Sequence, residues 1–210
     1  MKKNYRSQKK ANIESFLMEE EYQERKEALF RIIGEFEKAK LGYSLACSFN
    51  LFLRGVSDDF HDFDFIIEEK DSERVKDVVE KLGAKLVATG GNGYCESLVY
   101  MHFQYGRVDF DVIAGFQLLT FGSHYIYEYN SEQLDYVDVD GVSIPLTSME
   151  ALFILYYMME GWQTRRKYKR KLIYEYLVNQ DVKYPQILED ALEDPLPYNI
   201  KRDIKILLMK

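Results

Sequence analysis

Apolar residues recur at helical spacing from about Asn12 to Lys40, where Phe16, Leu17, Leu29, Ile32, Ile33 and Phe36 form one stripe. The spacing predicts a long first helix, capped by Asn12 or Ser15 and stopped near Gly42, with residues 1–10 frayed. The run EEEYQERKE within it reads as its solvated face. The period then shortens. Tyr43–Ala46 reads as a strand, Cys47–Ser48 as a turn, and Ser48–Arg54 as a short helix ended by Gly55. His61–Ile67 alternates as a strand. A helix capped by Asp71 or Ser72 runs to Leu82 and stops at Gly83, followed by a strand at Ala84–Ala88 and a turn over Thr89–Gly93. Two hairpins follow. One joins Glu96–Gln104 to Arg107–Ala114 through Tyr105-Gly106, the other Leu134–Asp138 to Val142–Pro145 through Asp140-Gly141. Between them, residues 115–133 carry no clear period. Thr147 or Ser148 caps an apolar helix, Met149–Glu160, with Glu150 in its first turn. From Thr164 on the pattern is helical throughout: a basic helix with Leu172, Ile173, Tyr176 and Leu177 inward, then Tyr184–Glu193 and Tyr198–Leu208, punctuated by Pro195 and Pro197.

The pattern predicts an α+β fold: a mixed sheet with flanking helices over residues 1–146, then a helical bundle over 147–210. Chemistry enters through the strands. Residues two apart on a strand point to one side, so Asp62 and Asp64 project together while Phe63 and Phe65 face the other way. Arg107–Ile113 repeats this with Asp109 and Asp111. Carboxylate pairs on apolar strands are costly to bury without compensation, and a divalent cation is the simplest source. Oxygen-only ligands suit Mg²⁺. Ser48 opens a helix directly after a strand, a place where phosphate oxygens can meet free backbone N–H groups. Arg54 is a candidate phosphate contact, and it could instead pair with Asp58 or Asp59.

Composition narrows the partners. A chain of 210 residues with 47% hydrophobic positions can build a full core, and its net charge of -7 argues against an extensive nucleic-acid footprint. No apolar run is long enough to span a bilayer, and the basic N-terminus lacks the apolar core of a secretory signal. Cys47 and Cys95 have no metal-ligand spacing, so they read as reduced thiols of a cytoplasmic protein. His102 and His124 lack a partner motif and read as structural, as do Trp162 and Tyr156-Tyr157 in the core. The basic stretch Arg165, Arg166, Lys167 and Lys169 reads as a solvated helix face that could alternatively close on a triphosphate. The glycine-rich 90–93 turn is no phosphate loop, because no Lys-Ser/Thr follows it.

Ala46-Cys47-Ser48, a spacer of thirteen residues and Asp62-Phe63-Asp64 resemble the nucleotidyltransferase signature of the DNA polymerase beta superfamily. Asp140–Pro145 and Thr147–Glu150 resemble the hairpin and helix start that follow in small antibiotic and minimal nucleotidyltransferases, so the resemblance spans about residues 42–160. It implies transfer of a nucleoside monophosphate from an NTP such as ATP to a hydroxyl acceptor, with Mg²⁺. It also implies roles: Ser48 at the phosphates, Asp62 and Asp64 on metal, and Asp109 as third ligand or base. Asp111, on the same face as Asp109, is the other candidate for the third carboxylate. Cys47 stands where the family has glycine, so its side chain narrows the approach to phosphate. That departure motivates a second reading, an inactive binding protein on the same fold. The long first helix and the helical tail offer surfaces for a homodimer.

Overall fold

The computed structural model describes residues 4–90, 96–120, 122–159 and 164–210, with the backbone alone at 120 and 164–167. Cys95, Trp162, the 91–93 part of the glycine-rich turn and the Arg165, Arg166 and Lys167 side chains therefore lie outside the described residues. The chain is α+β, with a seven-stranded mixed sheet at its centre. In chain order its strands are β1 (Tyr43–Leu45), β2 (Phe63–Ile67), β3 (Lys85–Thr89), β4 (Val99–Tyr105), β5 (Val108–Ala114), β8 (Leu134–Val139) and β9 (Val142–Thr147). They lie in the order β3-β4-β5-β2-β1-β9-β8. The β2–β5 and β1–β9 pairs are parallel and the other pairs antiparallel. Residues 115–133, unassigned by pattern, supply a separate hairpin of β6 (Phe116–Thr120) and β7 (Ser123–Tyr127).

Alternation sorts the sheet's side chains into two cores. Phe63, Phe65, Phe103, Phe110 and Val112 face α2 (Gln23–Lys38) and α4 (Ser72–Lys81), which contribute Leu29, Ile32, Phe36, Val75 and Val79. Ile66 and Ile113 face the other way. They share a core with α5 (Met149–Met159), α6 (Thr164–Asn179), α7 (Pro185–Glu193) and α8 (Tyr198–Leu208). Every side chain of α5 is buried, including Tyr156 and Tyr157, because sheet, β6–β7 hairpin and C-terminal helices enclose it. The C-terminal helices thus cover the sheet face from which Asp62 and Asp64 project. Among the described residues, no helix is long and apolar enough to cross a membrane.

The N-terminus corrects the sequence expectations: the single helix expected over 12–40 is two, one ending at Met18 and α2 beginning at Gln23. Residues 5–10 are not frayed: α1 (Tyr5–Met18) begins with Asn4 accepting from the Ser7 N–H at 3.2 Å, and Tyr5 is buried. Asn12 is not a cap. It lies buried within α1 and donates to the carbonyls of Phe52, in the last turn of α3 (Cys47–Leu53), and of Ser57 just past it, at 2.7 and 2.8 Å. Hydrogen-bonding two buried carbonyls from inside a neighbouring helix is a tertiary use of Asn that local patterns do not carry. The stop of α2 also moves. Lys40, at φ 52°, takes the left-handed position, with Leu41 N–H bonding back to the Phe36 carbonyl, so Gly42 is not the terminator.

Arg54 is the largest correction. It pairs with neither Asp58 nor Asp59. Its guanidinium contacts Asp135 on β8 at 2.8 Å, Asn50 at 2.7 Å and the Thr147 carbonyl at 3.1 Å. Asn50 in turn donates to the Leu45 and Thr147 carbonyls, and Ser44 shares a hydroxyl hydrogen bond with Thr147. This buried network pins α3 to the ends of β1 and β9. Arg54 therefore anchors the helix that carries Ser48, with its charge committed to protein groups.

Two predictions follow the packing around α3. Gly55 has φ +71°, and a Cβ there would lie 2.4 Å from the Lys9 backbone nitrogen and 2.7 Å from the Tyr5 carbonyl oxygen. Gly55→Ala should lower the free energy of unfolding by at least about 2 kcal/mol in denaturant melts, since both the strain and the backbone clash push against it. Burial raises the Asp135 carboxyl, but the Arg54 charge and hydrogen bonds from Lys183 and Arg54 outweigh it and hold it below the usual range. A depressed carboxyl stabilises the fold above its unfolded pKa of about 4 and ceases to do so as pH falls through the folded value. Asp135→Ala should cost about 3 kcal/mol at neutral pH by stranding buried Arg54, and its stability curve should converge on the wild-type curve in acid.

Candidate active site

The site forms where β2, β5 and the entry to α3 meet. Parallel pairing sets Asp64 opposite Asp111 and Phe63 opposite Phe110. Asp62 precedes β2 by one residue and faces the same way as Asp64. One oxygen from each of Asp62, Asp64 and Asp111 lies within 4.8 Å of the others. Asp64 is buried and the other two are half-buried. The third carboxylate of the cluster is thus Asp111, and Asp109, preferred on sequence grounds, is outside it. Asp109 is half-exposed nearer the hairpin turn, where Gln104 donates to it at 3.3 Å.

The reason is the β2–β5 register, which sets Asp64 opposite Asp111. The β4–β5 hairpin turns at Gly106-Arg107, so Tyr105 pairs with Val108 and His102 with Asp111. A turn one residue earlier would have put His102 opposite Asp109. His102 therefore has a cross-strand partner in Asp111. Its Nδ1 lies 2.6 Å from Asp111 Oδ1, and the Tyr100 hydroxyl donates to Asp111 Oδ2 at 3.0 Å. An ionised Asp111 can only accept, which places the His102 proton on Nδ1. His102 Nε2 faces Asp109 at 3.9 Å. Burial pushes the Asp111 carboxyl above its usual value and the nearby Asp62 charge adds to this, while the His102 and Tyr100 hydrogen bonds pull against them. Burial, then the charge of Asp111, holds the Tyr100 hydroxyl well above its ordinary range, so it stays protonated and donates.

Ser48 sits beside the cluster. The Ala46 N–H donates to the Asp64 carbonyl at 2.9 Å, and Ser48 Oγ accepts from the His61 N–H at 3.3 Å, one residue before Asp62. The N-cap of α3 is Ala46, so Ser48 is inside the first turn and its hydroxyl proton remains available to a phosphate oxygen. Cys47 has φ 48°, in the left-handed region. The turn from β1 into α3 thus keeps a backbone shape that glycine enters without strain, although a cysteine occupies it. Arg54, at the other end of α3, does not reach the cluster. It lines a separate cavity of about 480 Å³ with Lys9, Asp135, Glu150 and Lys183, which includes none of the four aspartates. Glu150, in the first turn of α5, accepts the backbone N–H groups of Lys183 and Tyr184 and so fixes the approach to α7.

By sequence the chain matches no protein-family model and no curated protein. By structure it is similar to a candidate nucleotidyltransferase from Thermotoga maritima, with a TM-score of 0.55 at 16% identity over 75% of this chain and 94% of that one. It is also similar to the antibiotic-resistance factor ANT(2'')-Ia. The crystal structure of that protein in complex with adenylyl-2''-tobramycin gives a TM-score of 0.54 at 13% identity, over 87% of this chain and 95% of that one. Its solution structure gives 0.54 at 14%, over 85% and 86%. At such identities the likeness shows the fold, which is of the nucleotidyltransferase type.

The left-handed Cys47 yields a prediction. Cys47→Gly relieves roughly 1 kcal/mol of backbone strain and adds a similar entropic cost, so stability should change by less than about 1 kcal/mol. Cys47→Val, branched at Cβ, should lose about 2 kcal/mol. Paired denaturant melts of the two variants measure the difference.

Proposed function

We propose that the chain is a nucleotidyltransferase moving a nucleoside monophosphate from an NTP to a hydroxyl acceptor. The carrying observation is the convergence of Asp62, Asp64 and Asp111 to within 4.8 Å beside Ser48. The donor set consists of carboxylate oxygens alone, which fits Mg²⁺ and disfavours softer ions. Asp62 and Asp64 would hold the metal, with Asp111 the third carboxylate of the set. When bound, Mg²⁺ supplies charge neutralisation for the triphosphate and for the displaced pyrophosphate.

The protein's own groups carry the remaining steps. Ser48 donates its hydroxyl to a phosphate oxygen and orients the triphosphate along α3. Asp111 accepts the proton of the acceptor hydroxyl. The freed oxygen then attacks the α-phosphorus as the bond to pyrophosphate breaks. Asp109, outside the cluster, would be a peripheral acidic group. A small hydroxylated molecule is the acceptor class we favour, since the net charge of -7 is unfavourable for a long nucleic-acid track. ANT(2'')-Ia, captured in complex with adenylyl-2''-tobramycin, gives the fold-level precedent. In this reading the enzyme is cytoplasmic, where nucleotides are found.

Incubation with labelled NTPs, Mg²⁺ and a panel of hydroxylated acceptors tests the reading. Wild type should transfer label to an acceptor. Asp64→Asn should reduce transfer by about 10³-fold, the size expected when several kcal/mol of charge stabilisation is removed. Asp109→Asn should stay within about 3-fold of wild type, as an exposed group outside the cluster has little share in the barrier. Equal labelling by wild type and Asp64→Asn would exclude the assignment.

A further inference from the structure

We propose that His102 and Tyr100 are positioning residues for Asp111, setting the orientation of its carboxylate toward Asp62 and Asp64. The inference rests on the proposed nucleotidyl-transfer reading and deepens it. β4 and β5 are antiparallel neighbours, and His102 is the cross-strand partner of Asp111. Tyr100, two residues earlier, shares its face. The two side chains reach different oxygens of one carboxylate: His102 Nδ1 at Oδ1, 2.6 Å, and the Tyr100 hydroxyl at Oδ2, 3.0 Å.

The arrangement answers a specific problem. The terminal torsion of an aspartate is broad, so an unsupported carboxylate turns easily. Beside Asp62 and Asp64 it would turn away from like charge. Two donors on separate oxygens remove that freedom. Each oxygen has two acceptor sites, so each keeps one for a cation or an incoming proton after the hydrogen bond is made. Donors behind ligating carboxylates generally hold them in this way. Burial of Tyr100 and His102 against the strand pair keeps both side chains in place: both are half-covered.

The test is Mn²⁺ binding to the purified full chain, by calorimetry, alongside labelled-nucleotide transfer. The variants are His102→Ala, His102→Asn, Tyr100→Phe and Asp64→Asn. Asn presents an N–H close to where imidazole Nδ1 lies. Wild type should bind Mn²⁺ and Asp64→Asn should lose binding. His102→Ala should weaken binding about 10- to 100-fold, the usual effect of losing an outer partner. His102→Asn should recover most of it, and Tyr100→Phe should fall between, with both variants melting near wild type. A merely structural histidine would not be rescued by Asn. Wild-type Mn²⁺ affinity in His102→Ala and Tyr100→Phe, with loss in Asp64→Asn, overturns the positioning role and leaves the transferase reading standing. Equal weakening in His102→Ala and His102→Asn also overturns it. Absence of Mn²⁺ binding and of transfer in wild type removes the metal-site reading, and the positioning role with it.

Discussion

The parallel pairing of β2 with β5 is the constraint on which the rest of the molecule depends. It sets Asp64 level with Asp111 and, by the same alternation, sends Phe63, Phe65 and Phe110 into the opposite core. A slip of one residue would turn Asp111 into the phenylalanine cluster and bring an aromatic ring to the carboxylates. Such a slip would bury a charge and expose a large apolar side chain at once. The apolar face thus fixes the chemical face. The phenylalanines that look remote from the site determine where its acids stand.

The neighbours of this pair supply what the carboxylates lack. The Asn50–Arg54–Asp135 network holds α3 against the ends of β1 and β9, so Ser48 keeps a fixed distance from Asp62. α1 closes the far end of α3 through Asn12 and through the contact that only Gly55 allows. The C-terminal helices cover the sheet face bearing the cluster. Burial raises the Asp111 carboxyl while both its oxygens stay hydrogen-bonded. Strand register, helix anchoring and burial therefore act on the same few atoms.

Much of this was legible in the sequence because it is local. Alternation exposed the Asp62/Asp64 and Asp109/Asp111 pairs, and Asp140-Gly141, both at positive φ, marks its hairpin plainly. What escaped depends on contacts distant in the chain. Arg54 offered a choice of nearby acids, but its partner is Asp135, set by the β9–β8 side of the sheet. Asn12 resembled a helix cap and instead satisfies carbonyls some forty residues on. The choice between Asp109 and Asp111 depended on the β2–β5 register, and the pairing of His102 with Asp111 on the β4–β5 hairpin turning at Gly106-Arg107. In residues 115–133, Phe, Leu and Tyr pack against α5, and their pattern is set by that helix more than by their own period.

Cys47 has a bearing on heredity as well as on stability. The backbone there takes a left-handed turn with a thiol-bearing residue in place. Cysteine and glycine codons differ at a single base. The chain is therefore one point mutation from the residue that its own backbone angle favours.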